Sequence, residues 1–128
     1  MERYLVDTNV VVDNVRGVER AQKFIKKHLP SVSQVSIAEL IEGVKNKSHL
    51  RAINAVIADL EIIPINASKA TQAIELMQQF FLSHNLKFLD ALIAAAAMEE
   101  NLTLVTSNTK HFSFIKGLKL LDWSQARQ

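Results

Sequence analysis

Apolar and polar positions along this chain switch between two periods. Short runs with strand character, Tyr4–Val6, Ser31–Val35, Ile62–Ile65, Thr103–Thr106 and Leu118–Leu121, are separated by longer stretches with apolar residues at helical spacing. Thr8–Val15 reads as a helix. Gly17–Leu29 reads as a second, with Val18, Ala21, Phe24, Ile25 and Leu29 on one stripe before Pro30 stops it. Ser36 and Glu39 have the spacing of a capping box, which predicts a helix from Ser36 to about Val44. A helix over about Ser48–Leu60 carries Leu50, Ile53, Val56, Ile57 and Leu60 on its buried side, and Ser68 is expected to cap a long helix to about Ser83. After the polar break His84-Asn85, the run KFLDALIAAAA opens a helix that ends near Asn101. A helical turn is expected within Asn108–Phe114, and Asp122-Trp123 closes the chain's last strand.

Strands alternating with helices are the mark of βαβ units and a parallel sheet covered on both faces. The expected architecture is a three-layer α/β/α sandwich with a central, mostly parallel sheet of four to five strands. At 128 residues and 14.4 kDa, with no internal repeat and no linker-like segment, a single domain over 1–128 is expected. Hydrophobic residues at 48% and charged residues at 22% leave no room for a long disordered tract.

A formal charge of +2 permits an anionic partner without requiring one, so its distribution matters more. Arg16, Arg20, Lys23, Lys26 and Lys27 are opposed in their segment only by Glu19, and Lys45, Lys47, His49 and Arg51 form a second basic cluster. Either group serves as a solvated helix face or as a guide for nucleic acid. The chain has no cysteine, which removes disulfides and thiolate metal sites. No apolar run approaches the roughly 18 to 20 residues of a membrane span, and the N-terminus has no apolar leader core. A soluble, cytoplasmic protein without membrane contact is expected.

Three carboxylates stand at helix starts. Asp7 follows the first strand and has an ordinary role as an N-cap. Glu39 has one as the partner of Ser36 in the capping box. Asp90 sits in a first turn, favoured by the helix dipole and within reach of Lys87. Yet helix starts at the carboxyl edge of a parallel sheet share one side, and open α/β sheets bind ligands there. Three acids drawn onto one rim repel one another unless a cation lies between them. Oxygen ligands with no cysteine, and no histidine beside the acids in sequence, suit Mg²⁺ or Mn²⁺, whose usual chemistry in such a site is phosphodiester hydrolysis.

Four stretches then resemble, in order, the motifs of PIN-domain proteins: LVDTN at 5–9, VSIAELIEG at 35–43, DALIAA at 90–95 and LVTSNTKHF at 104–112. The resemblance is greatest to the VapC-type toxins of toxin–antitoxin modules. It implies a Mg²⁺-dependent endoribonuclease whose metal is held by Asp7 and Asp90, with Glu39 contributing directly or through water, Mn²⁺ being a possible substitute. It also implies an RNA substrate, a cognate antitoxin and a homodimer. Thr8, Asn9 and Thr106 match family positions near the acids, where hydroxyl and amide groups orient carboxylates or water. The family's fourth acidic position falls on Asn108, which adds no charge and would hold a second metal more weakly.

Asp13 and Glu42 are candidate spare ligands, each with a salt-bridged or solvated face as its ordinary alternative. His111 is set aside as turn surface, and Trp123 is expected to anchor the C-terminal strand. Two rival functions remain. One is a catalytically weak PIN-fold module that binds RNA or protein, supported by Asn108. The other is a phosphotransferase domain phosphorylated on Asp7, which lacks an acid at Asn9 and a lysine at the later strand end before Lys110.

Overall fold

The computed structural model describes residues 2–126; Met1, Arg127 and Gln128 of the expected 1–128 domain lie outside them. Five strands, β1 (Tyr4–Val6), β2 (Ser31–Ser33), β3 (Glu61–Ile63), β4 (Thr103–Thr106) and β5 (Leu120–Asp122), form one sheet in the order β3-β2-β1-β4-β5. Every pairing is parallel, with Leu5 opposite Ser31 on one side and Leu104 on the other. The chain therefore winds outward from β1 to β3 and then crosses back to β4. That reversal places the topological switch point between β1 and β4.

Side chains along a strand alternate between faces, and the core divides accordingly. Leu5 and Leu104 point into a layer made with α5 (Ala67–His84) and α6 (Phe88–Glu99). Val6, Val32 and Val105 point into the opposite layer with α1 (Thr8–Val15), α2 (Glu19–His28) and α4 (Lys47–Ile57). The helix α3 (Gln34–Glu42) sits at the carboxyl edge and feeds Val35 to one layer and Leu40 to the other. The three-layer α/β/α sandwich is thus present with all five strands parallel.

Several boundaries differ from expectation, each for a local reason. The strand expected over Ser31–Val35 stops at Ser33, whose hydroxyl accepts the Val35 N–H at 3.1 Å and caps α3. The Ser36–Glu39 capping box therefore does not form, and Ser36 lies buried within the helix. The long helix α5 is capped by Asn66, not Ser68, its side chain accepting the Lys69 N–H at 2.9 Å. The last strand is shifted to Leu120–Asp122, and Trp123 begins a short helix, α7 (Trp123–Ala126). Trp123 is wholly buried, as an anchor should be: its indole N–H donates to Asp13 at 2.8 Å. No helix among the described residues is long and apolar enough to cross a membrane.

Candidate active site

Asp7 leaves β1 at the switch point. Its backbone N–H donates to the Val105 carbonyl at 2.9 Å, which fixes the residue at the sheet edge before α1 begins. Its Oδ1 accepts the Thr8 N–H at 2.8 Å, so the ordinary capping role is real. Its Oδ2 accepts from the Thr106 hydroxyl at 2.8 Å, and that hydroxyl accepts the Asn108 N–H at 3.0 Å. Asp7 is 6% exposed and Thr106 wholly buried. Strands β1 and β4 thus hold the first carboxylate in one orientation through a chain of three residues.

Asp90 is the third residue of α6, whose N-cap Lys87 contributes no side-chain cap bond. The expected Lys87 pairing gives way to His111, whose Nδ1 lies 3.2 Å from Asp90 Oδ2. The cause is the 3₁₀ turn Thr109–His111 after β4, which carries the imidazole to the start of α6. Lys87 and Lys110 line a cleft of about 180 Å³ beside this pair, with His84 and Asn85. His111 is the residue that sequence reasoning missed. The one signal was its place in the same short run as Thr106 and Asn108.

Glu39, released from any capping box, sits in the middle of α3 and is exposed. Partial loss of water around its carboxylate, then the charges of Asp7, Asp90 and Glu42, push its pKa above the ordinary carboxylate value. Asp7 is also raised: burial outweighs the Thr8 and Thr106 hydrogen bonds, and Asp90 adds repulsion that a protonated His111 opposes. The three acids therefore share one electrostatic field at the switch point. Glu42 joins that field from one turn further along α3. Asp13 does not, because its carboxylate is buried against Trp123. Asn9, the second residue of α1, has a buried Oδ1 with no hydrogen-bond partner among the described residues.

Among the described residues, no three His, Cys, Asp or Glu side chains lie close enough together to grip a metal ion as they stand. The three acids nevertheless suit a hard divalent cation: they offer carboxylate oxygens, one of them is buried, and burial together with like charge raises two of their pKa values. Asp7 is already fixed by β1 and β4, while Glu39 and Asp90 retain exposure and hence freedom to adjust.

A five-stranded parallel sandwich with carboxylates at its switch point defines an α/β protein whose site is built on the strand edge. The chain belongs to the PIN domain family and, within it, to the VapC group; the PIN domain model matches residues 4–117. Ribonuclease VapC10 of Mycobacterium tuberculosis is 35% identical over 120 residues, covering 90% of each chain. The tRNA(fMet)-specific endonuclease VapC of Shigella flexneri is 25% identical over 135 residues, covering 97% of this chain and all of its own. A toxin–antitoxin complex from Klebsiella pneumoniae contains a chain of the same fold, with a TM-score of 0.75 and 28% identity over 92% of this chain and 95% of that one.

Proposed function

We propose that this protein is a Mg²⁺-dependent endoribonuclease, acting in the cytoplasm as one domain and as the toxin of a toxin–antitoxin pair. The observation that carries the reading is the shared field of Asp7, Glu39 and Asp90 at the β1–β4 switch point. The names of the relatives supply the substrate class, RNA, and the antitoxin partner. Asp7 and Asp90 would hold the cation, with Glu39 contributing directly or through water, and Mn²⁺ would substitute for Mg²⁺. A divalent cation there would neutralise charge on the scissile phosphate and make water a better nucleophile at neutral pH.

The chain's own groups have separable tasks. Thr106, oriented by the Asn108 N–H, fixes one Asp7 oxygen while the Thr8 N–H fixes the other, so that carboxylate needs little reorganisation when a substrate arrives. His111 holds Asp90 from the exposed side. The two acids and Glu39 build the site; water would make the new bond to phosphorus as the bond to one ribose oxygen breaks, and that oxygen would leave as a hydroxyl after taking up a proton from solvent. At the α5–α6 corner, Phe81, Leu82, Phe88 and Leu89 are exposed, Leu82 almost completely; this apolar surface supports a homodimer.

Asp7→Asn and Asp90→Asn are each expected to lower Mg²⁺-dependent cleavage of RNA by more than roughly 100-fold with the fold intact, a larger loss than supporting residues cause. Undiminished cleavage by either, measured on antitoxin-free protein, would sink the mechanism. The second reading, a catalytically weak binding module, is favoured by the wide spacing of the three acids and by Asn108 at the family's fourth acidic position. RNA binding with no cleavage in either Mg²⁺ or Mn²⁺ would select it.

A further inference from the structure

Beside the acids, a cavity of about 350 Å³ opens between α1, α3 and α4. Thr8 and Glu39 stand at its end nearest Asp7. Val12, Val15, Leu40 and Ile53 form an apolar wall, and Arg16, Lys45 and His49 bring positive or donor groups. Glu39 is its sole acidic lining residue. Helix α1 measures the distance: from Thr8 to Arg16 is eight residues, about 12 Å along the axis. The cavity therefore leads away from the carboxylates toward cationic side chains.

His49 is not a loose surface group. Its Nδ1 accepts the Lys45 backbone N–H at 3.2 Å, which assigns the neutral ring's remaining N–H to Nε2 and leaves it a donor. The same bond ties the Lys45 loop to α4, next to the Asn46 side chain that caps the helix. Arginine, lysine and a donor imidazole around an apolar wall are the groups that take a phosphate and ribose on the rim and a base face within.

We propose that this cavity is the subsite for the nucleotide next to the scissile phosphate of a single-stranded RNA. Arg16 and Lys45 bind its outer phosphate, His49 donates to its sugar or base, and Val12, Val15 and Leu40 face the base. This rests on the ribonuclease reading above and adds where the strand lies. The second basic cluster is thereby split: Lys45 and His49 face the strand, joined by Arg16 from the first. Two other members of the first cluster are engaged elsewhere. Lys23 pairs with Glu19 at 2.9 Å, and the Arg20 guanidinium lies 4.6 Å over the Trp123 ring. A single-stranded target is favoured because a paired base would first have to be unpaired and unstacked, at a cost of a few kcal/mol, to enter such a cavity.

Two variants test the subsite by different physics. Arg16→Gln with Lys45→Gln removes two exposed cations. Gly43→Leu fills the cavity, since Gly43 lines it, has φ of −92°, and a Cβ there meets only the Glu39 and Leu40 carbonyls at 3.6 Å. Steady-state cleavage of short single-stranded oligoribonucleotides is measured across a salt series, with circular dichroism confirming the fold. The double variant is expected to raise KM by roughly tenfold or more at low salt, to leave kcat within about threefold, and to lower the log–log salt slope by about 0.7, the value for one phosphate of a single strand. Gly43→Leu is expected to raise KM equally at every salt concentration and to change base preference beside the cut. Unchanged KM in both variants overturns the subsite, in favour of a protein ligand if the same substitutions release a co-expressed antitoxin. Failure of the wild type to cleave any oligoribonucleotide would instead overturn the ribonuclease reading on which the subsite rests.

Discussion

The Thr106 hydroxyl stands between the Asn108 N–H that donates to it and the Asp7 carboxylate that accepts from it. The first bond is part-buried and the second buried, so Thr106→Val would leave a charged acceptor and a backbone donor without this partner in a site largely shielded from water. The expected result is a loss of about 1–3 kcal/mol in urea unfolding and a roughly 10- to 100-fold fall in cleavage, with Thr106→Ser restoring most of both. Equal activity for Val and Ser would mean that β4 supports the strand and not the carboxylate. Asp7 and Thr106 were legible in the sequence because each ends a strand, where side chains reach the rim. His111 was not, since its contact with Asp90 spans 21 residues and depends on where a single 3₁₀ turn points. Asp13 is the opposite case. Six residues past Asp7, it could be read as a spare ligand or as an ordinary paired side chain, and Trp123, 110 residues away, takes its carboxylate.

At the scale of elements, α6 is the helix that composition described best. Ala91 and Ala94 to Ala97 are at most 1% exposed, and α6 lies against both α5 and β4, so methyl groups set the approach of the helix to the sheet. An added isobutyl group has no room there. Ala95→Leu is expected to cost about 1–3 kcal/mol in chemical denaturation and to lower cleavage, because α6 must shift and carries Asp90 with it. Full activity in a destabilised protein would separate the packing of α6 from the position of Asp90. The elements were legible as elements because strand and helix periods differ plainly; their starts were harder. Ser33 and Ser36, or Asn66 and Ser68, are chemically equal caps, and the choice between them is made by where the preceding strand leaves the sheet. That termination is a property of the neighbouring strands, which no local window contains. The misplaced capping box also changed the function of a residue, since Glu39 was left without its ordinary role.

For the molecule as a whole, the site is a local source of instability. Burial and like charge raise the pKa values of Asp7 and Glu39, so the folded chain binds protons at these groups more tightly than the unfolded chain does. Stability from this source is then full below the ordinary carboxylate values of 3.8 and 4.5, and is lost as pH rises through the folded-state values. At neutral pH, above both ordinary values, the metal-free protein carries this penalty. Asp7→Asn keeps an oxygen for the Thr8 N–H and removes the charge, so it is expected to melt higher than the metal-free wild type at pH 7 and to converge with it below about pH 4. Mg²⁺ should reverse the order. A cation at 100 times its dissociation constant stabilises by about 2.7 kcal/mol, which should raise the wild-type melting temperature by roughly 8–13 °C and leave Asp7→Asn nearly unmoved. Differential scanning calorimetry of both proteins, with EDTA and with Mg²⁺ at pH 4 and pH 7, gives the four differences needed. A wild type that is more stable than Asp7→Asn in EDTA at pH 7 would show that the Thr106 and Thr8 bonds outweigh burial, and that the carboxylate is held for structure without need of a cation.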